Sequence, residues 1–262
     1  MNVLTVAIST VKQERERVIN NINSLSPSSK KLLNFLVISQ FEDEYECTKI
    51  NNISVIKLTG KGLSKSRNAA VEAVQTDWIW FQDDDFSFNE SELDFLVESL
   101  LTKEMDIGLI RVGSLENRSS YYKKYISYSK FMRLLSLKVS SIEIIAKVNF
   151  LKEKKIKFDN NLGLGTDLPC CEENKFMLDC FDRGARIFFL KKVLCYHTTL
   201  AENRRIDYVK NLQAKGYFLK SFPIYIGLIL MLKWSLSIKS DFGFFKNFQL
   251  IFKGFSLERR SR

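Results

Sequence analysis

The chain is short of proline, histidine and cysteine: its 262 residues include 3 Pro, one His and 5 Cys. So few prolines among 45% hydrophobic residues exclude a collagen-like or disordered chain. An odd, sparse set of cysteines argues against a disulfide framework and for a reducing compartment. Cys170, Cys171 and Cys195 fit no zinc-motif spacing. The opening MNVLTVAIST has neither a basic stretch nor a long apolar one, so no secretory signal is expected. The longest apolar run, SFPIYIGLILML (Ser221–Leu232), is twelve residues, short of the roughly 20 that span a bilayer. No full Walker spacing is present, and no G-x-G-x-x-G follows the first strand. ATP hydrolysis and dinucleotide redox chemistry are therefore disfavoured.

Charge is plentiful, with 40 basic and 30 acidic residues and a net +10. Residues 201–262 hold twelve of the basic and four of the acidic groups, so the tail carries +8 and the rest only +2. No nucleic-acid-binding motif accompanies that charge, and a nucleic-acid partner is not expected. The tail frames its apolar run with Lys220 and Lys233, then sets Lys246 and Lys253 among phenylalanines. That pattern suits a segment lying in a membrane interface and attracted to anionic lipid. The alternative is a pair of helices packing on the body or on another subunit.

The body alternates strands and helices. Strands are expected at Leu4–Ile8, Leu32–Ser39, Ile53–Leu58, Trp78–Gln82, Ile107–Val112, Ser141–Lys147 and Ile187–Leu194. Helices are expected over 18–25, 64–75, from Asn89 to about Thr102, and over Cys171–Phe181. Ser26-Pro27-Ser28-Ser29 should break the first helix, and Asn89 with Glu92 has capping-box spacing. Residues 114–130, rich in Ser, Tyr and Lys, read as a surface loop. The order implies an open α/β sheet with ligands at the carboxyl ends of its strands.

One strand runs straight into Asp83-Asp84-Asp85. Like charges this close repel, and a divalent cation would relieve them, since hard oxygen ligands suit Mg²⁺ or Mn²⁺. The alternative is an acidic turn capping the next helix. Gly60-Lys61-Gly62, opening a helix between two strands, is a natural anion site.

GLSKSRNAA followed by DWIWFQDDDF resembles the nucleotide-sugar domain of GT-A glycosyltransferases, particularly the family-two group. KIKFD (Lys155–Asp159), LGLGT (Leu162–Thr166), CCEEN (Cys170–Asn174) and VLCYH (Val193–His197) continue the likeness, which covers roughly residues 3–200. It is closest in character to bacterial transferases that build surface polysaccharides.

The resemblance implies a mixed open sheet flanked by helices, with a helical basic and apolar appendage at the C-terminus. Residues 1–200 would form the catalytic domain, with 1–112 as the nucleotide-sugar half and 113–200 as the acceptor half. Residues 201–262 would form the appendage. It further implies an inverting, metal-dependent transferase using a nucleotide diphosphate sugar, with UDP as the default nucleotide. The acceptor would be a glycan or lipid-linked hydroxyl at the inner face of the cell membrane.

By the same resemblance, Asp83 and Asp85 would bind Mn²⁺ or Mg²⁺, with Asp84 facing sugar hydroxyls or a helix N-terminus. His197, the only histidine, would be a further metal ligand or a structural residue. Glu173 would be the general base, with Glu172 orienting the acceptor or a loop. The family's pair usually ends in Asp, and both glutamates also suit a helix N-terminus on electrostatic grounds. Thr10 and Val11 would line the base pocket, and Lys61 and Arg67 would contact base, ribose or phosphate. Relatives often carry an Asp after the second strand; here Ser39-Gln40 stand there, and Glu42 or Asp43 would substitute. Gly163 and Gly165 would shape a loop near the acceptor. A sugar nucleotidyltransferase and a non-catalytic glycan- or nucleotide-binding subunit are the rival readings.

Overall fold

A computed structural model describes residues 3–125, 134, 136–198, 207–238 and 243–258. Residues 126–130 of the expected surface loop, and Arg259–Arg262 of the basic tail, lie outside them.

Among the described residues nine strands form one mixed sheet, and their numbering follows the chain. They are β1 (Leu4–Val11), β2 (Leu33–Gln40), β3 (Glu46–Ile50), β4 (Ile53–Lys57), β5 (Trp78–Asp83), β6 (Ser87–Phe88), β7 (Ile107–Ser114), β8 (Ile144–Lys147) and β9 (Ile187–His197). The spatial order is β3-β4-β2-β1-β5-β8-β7-β9-β6. β4, β2, β1 and β5 run parallel, and so do β7 and β9, while β3, β8 and β6 run antiparallel to their neighbours. The helices are α1 (Arg15–Asn23), α2 (Pro27–Leu32), α3 (Leu63–Ala73), α4 (Leu93–Thr102), α5 (Val148–Glu153), α6 (Glu172–Asp182), α7 (Tyr208–Leu219), α8 (Ile224–Ser237) and α9 (Gly243–Ser256).

The alternation of β1 explains why the sheet is covered on both sides. Leu4, Val6 and Ile8 point into a core shared with Val18 and Ile22 of α1 and Leu93, Leu96 and Leu100 of α4. Ala7 points the other way, into a core with Ala70 and Val71 of α3 and Phe176 and Met177 of α6. Burying each large aliphatic side chain stabilises the fold by about 1.5–3 kcal/mol. After β1 the chain steps outward to β2 and β4, and α3 then carries it back to β5 on the other side of β1. The strand order reverses there, with Ser9 in register with Asp83. In such a sheet the crevice beyond the strand ends at the reversal is where a ligand fits.

Several expectations need correction. α1 ends at Asn23, ahead of the expected break, and Ser26-Pro27 instead start α2: Ser26 is its N-cap, accepting from the Ser29 amide at 3.2 Å, with Pro in the first turn. The expected capping box at Asn89 does not form. The Asn89 amide group instead donates across the sheet to the Val193 carbonyl, and Glu92 pairs with Lys192. Residues 141–147 divide into a 3-10 turn, Ser141–Glu143, and the short antiparallel β8.

The C-terminal helices share a third core with Leu162, Leu168, Cys171 and Leu178 of the body. α7 and α9 meet through glycines: a Cβ on Gly216 would lie 1.8 Å from the Ile251 carbonyl oxygen, and one on Gly254 1.9 Å from that of Gln213. Neither backbone oxygen can move aside alone. Gly254→Ala should therefore destabilise the chain by about 1–3 kcal/mol or more through overpacking. Thermal denaturation checks this, and an unchanged midpoint would contradict the close crossing.

Candidate active site

A cleft of about 490 Å³ opens at the strand reversal. It gathers residues from the ends of β1 (Ser9, Thr10, Val11) and β5 (Asp83, Asp84), the α3 turn (Lys61, Gly62, Arg67), the loop before α6 (Leu164, Gly165, Cys170), α6 itself (Glu172, Glu173) and His197 of β9. Residues from Thr10 to His197, spread over 188 positions of chain, thus converge in one place, and Asp85 stands behind the lining, against His197.

The three aspartates do not face one another unpaired. Asp83 Oδ1 accepts from Arg67 Nη2 at 3.2 Å. Asp84 Oδ2 accepts from Thr10 Oγ1 at 3.1 Å and its other oxygen lies 3.7 Å from Arg17. Burial raises the Asp84 pKa, against the Thr10 hydrogen bond and Arg17. Asp85 Oδ1 lies 3.0 Å from His197 Nε2. The repulsion anticipated from the sequence is thus largely relieved by neighbouring side chains.

Arg67 organises the floor of the cleft. It is 2% exposed, and its guanidinium donates to Glu172 Oε1 at 3.0 Å, to Asp83, and to Ser141 Oγ at 2.7 Å. The guanidinium carbon lies 5.5 Å from the centroid of the Phe158 ring, which stacks on Phe176. Arg67 lines the cleft as expected, but its charge is directed to the protein's own carboxylates. Lys61, exposed on the rim, is the cation of that turn that faces outward.

The turn itself is pinned from two sides. The Gly62 amide donates to Gln40 Oε1 at 2.7 Å, and the Leu63 amide to the Leu164 carbonyl at 2.9 Å. Two of the amides expected to cradle an anion are therefore engaged within the protein. Gly163 and Gly165, with φ of 100° and 88°, let the loop before α6 press onto this turn; a Cβ on Gly165 would come within 3.1 Å of the Gly62 nitrogen. Glu42 is not in the cleft, because it is buried against Ser39 and Arg15. Asp43 pairs with Lys12 at the surface.

Glu173 has a different environment from Glu172. Its Oε2 is shut off from solvent and has no hydrogen-bond partner, although other atoms of the residue are partly exposed and line the cleft. Burial, reinforced by the neighbouring Glu172 carboxylate, pushes its pKa well above the ordinary 4.5. Such a carboxyl is disposed to hold a proton taken from a ligand.

His197 Nδ1 lies 2.9 Å from the Thr198 carbonyl, to which it donates. In the neutral ring, Nε2 then presents a lone pair toward Asp85. It is buried and within ion-pair range, yet not aligned with any hydrogen-bond partner. Burial opposes charging of the ring, but Asp85, Thr198 and Asp83 together raise its pKa. An imidazole nitrogen and a carboxylate oxygen facing each other suit a cation such as Mn²⁺. Among the described residues no group of three His, Cys, Asp or Glu is placed to hold a metal. An ion at this pair would draw its remaining ligands from outside the chain.

The sequence did not single out Gln40, Ser141 or Tyr122 for roles here. Tyr122 lines the cleft with its hydroxyl 2.6 Å from Ser140 Oγ, and its ring centroid lies 5.9 Å from that of His197. Burial pushes its pKa up to about 12, so the hydroxyl keeps its proton. No local signal marks such residues, since their roles come from neighbours distant in the chain.

The fold is similar to that of S. aureus TarS. Residues 1–349 of TarS match at a TM-score of 0.58 and 16% identity, covering 97% of this chain and 71% of that one. The same TarS region crystallised with UDP matches at 0.59 and 16%, covering 91% and 76%; with UDP-GlcNAc it matches at 0.58 and 16%, covering 97% and 72%. No curated protein sequence matches. The glycosyl transferase family 2 model matches residues 14–164, more than half of the chain and the stretch that supplies Gln40, Lys61, Arg67, all three aspartates and Gly163. The chain belongs to glycosyl transferase family 2.

Proposed function

We propose that the chain is an inverting, divalent-metal-dependent glycosyltransferase that moves a sugar from a nucleotide diphosphate sugar to a hydroxyl of a glycan or lipid-linked acceptor. The observation that carries this reading is the buried, unpartnered Glu173 Oε2 in the same cleft as the strand-end aspartates. UDP is the first nucleotide to test, because the similar TarS fold has been crystallised with UDP and UDP-GlcNAc.

In this reading residues 1–112 supply the donor side and 113–200 the acceptor side of one catalytic unit. Thr10 and Val11 border the nucleotide, and Lys61 faces its phosphates from the rim. Asp85 and His197, with Asp83 beside them, would hold Mn²⁺ or Mg²⁺, which when bound neutralises charge on the departing diphosphate. Asp84 is fixed by Thr10 and Arg17 on the sugar side. Glu173 takes the proton of the attacking hydroxyl. Glu172, held by Arg67, fixes the start of α6 and hence the direction of Glu173. Incubation with a panel of nucleotide sugars and Mn²⁺ should release the nucleoside diphosphate and transfer or hydrolyse the sugar with inversion. Release of pyrophosphate would instead establish a nucleotidyltransferase, and no turnover of any donor would favour a non-catalytic subunit.

The acceptor side extends to a surface suited to anionic lipid at the inner face of a bacterial cell membrane, where surface polysaccharides are assembled. Among the described residues no helix is long and apolar enough to cross a membrane. The inner faces of α7, α8 and α9 pack into the third core, yet α8 exposes Ile224, Tyr225, Leu228, Ile229, Leu232 and Leu236 along one stripe. Phe245 of α9 is 86% exposed, and Lys233 of α8 and Lys246 and Lys253 of α9 are exposed as well. Replacing Leu228, Ile229 and Leu236 together by Ser should abolish binding to anionic liposomes with little loss of stability, since all three are exposed. Unchanged sedimentation with liposomes would exclude this docking face.

A further inference from the structure

Cys170 and Cys171 stand where the glycine-containing loop passes into α6. Their Sγ atoms are 3.5 Å apart; Cys170 borders the cleft and Cys171 is buried. Cys171 is the N-cap of α6, with a left-handed φ of 73° that side-chain-bearing residues seldom adopt. Glu172 and Glu173 follow at once, so the torsions of Cys171 aim the acidic pair. Cys170 Sγ also lies 3.7 Å from the Asn211 carbonyl of α7. The Lys215 ammonium of the same helix lies 5.2 Å from the centroid of the Trp234 ring.

We propose that Cys170 and Cys171 form a thiol–disulfide exchange site that accepts a low-molecular-weight disulfide and, when closed, misaligns Glu173. The Cys170 thiolate, reachable from the cleft, attacks one sulfur of the reagent; a mixed disulfide forms and one thiolate leaves. Cys171 gives up its proton and attacks Cys170 Sγ, expelling the second thiolate. The two cysteines lose two electrons to the reagent, which is reduced to two thiols carrying the two protons. The buried Cys171 thiol, its pKa pushed well up by the Cys170 hydrogen bond and by burial, serves as the resolving partner because it is adjacent.

Consecutive Cα atoms are about 3.8 Å apart across a trans peptide. That is below the spacing of ordinary disulfides, so the closed pair is strained and readily reduced. The strain falls on the Cys171 torsions and through them on α6. Loss of activity on closure rests on the transferase reading above; the sulfur chemistry does not.

The test treats the full chain with oxidised glutathione, alkylates the remaining thiols and maps all five cysteines by mass spectrometry. The peptide carrying Cys170 and Cys171 should resist alkylation and lack two hydrogens, and dithiothreitol should restore it. The exposed Cys47 should carry only a glutathione adduct, and buried Cys180 and Cys195 should remain free thiols. Cys171→Ser should stop at a glutathione adduct on Cys170, while Cys47→Ser should close the pair as before. Donor turnover in the closed form should fall on the order of 100-fold, the cost of a displacement of about 1 Å at a catalytic group, and recover on reduction. Recovery of both Cys170 and Cys171 as alkylated thiols when Cys47 is modified would overturn the site. Closure with undiminished turnover would overturn its link to α6. Absence of turnover even in the reduced chain would count against the transferase reading alone, with the mass result still deciding the sulfur chemistry.

Discussion

Glu173→Gln should lower turnover by about 10²–10⁴-fold, the usual worth of a positioned general base, while nucleotide binding is retained. The amide keeps the shape of the acid and cannot accept a proton. Burial favours the neutral acid, which the amide matches in charge and size, so the fold should tolerate the change. The raised pKa gives the prediction a pH signature. Because burial and Glu172 favour the neutral acid, the wild-type rate should climb as pH rises through a range well above that of ordinary carboxylates. Stability should run the opposite way. The folded pKa lies above the unfolded one, so the residue's stabilising contribution is complete below the unfolded value and lost as pH rises through the folded one. Glu173→Gln should therefore leave stability unchanged in acid and raise it in alkali relative to wild type. A variant with wild-type rate at every pH would remove Glu173 from the reaction.

Arg67→Met should be the most destabilising single change in the cleft. It strands the Glu172 carboxylate, whose side chain is 7% exposed, and releases Asp83 and Ser141 as well. Breaking a buried ion pair from one side costs about 3–5 kcal/mol. For a chain of this size that corresponds to a fall in Tm of roughly 6–20 °C. Lys would not rescue it, because one ammonium cannot reproduce the planar fork that serves Glu172, Asp83 and Ser141 at once. Chemical denaturation of Arg67→Met and Arg67→Lys measures both claims, and wild-type stability in either would contradict the organising role.

Much of this fold could be read from the chain because periodicity encodes burial. β1, β2 and β5 are apolar runs whose alternate residues reach two cores, and α3, α4 and α6 carry their apolar residues at helical spacing. The elements that escaped notice have no such pattern. β3, with Glu46 and Lys49 at the sheet edge, and the two-residue β6 are strands by virtue of their pairing with β4 and β9. Nor does the sequence IIAK reveal that β8 runs against both of its neighbours.

The site divides along the same line. Asp83, Asp84 and Asp85 are legible as three like charges at the end of an apolar strand, and Glu172, Glu173 and His197 through the family resemblance. What each one touches was hidden. Arg67 reads in sequence as a free cation beside a glycine turn, because its partner Glu172 lies 105 residues away. Gln40 looked like a missing Asp until its amide oxygen was found on Gly62.

Calorimetric titration of UDP into wild type and Asp85→Ala, each with and without Mn²⁺, asks whether the Asp85–His197 pair binds a metal together with the nucleotide. The wild-type chain should bind UDP more tightly with Mn²⁺ than with a chelator. Asp85→Ala, which leaves His197 Nε2 without its carboxylate, should lose that increment while keeping its folded signature. Full metal-dependent UDP binding by Asp85→Ala would take the metal away from Asp85, and no UDP binding by the wild-type chain under either condition would take UDP out of the reaction.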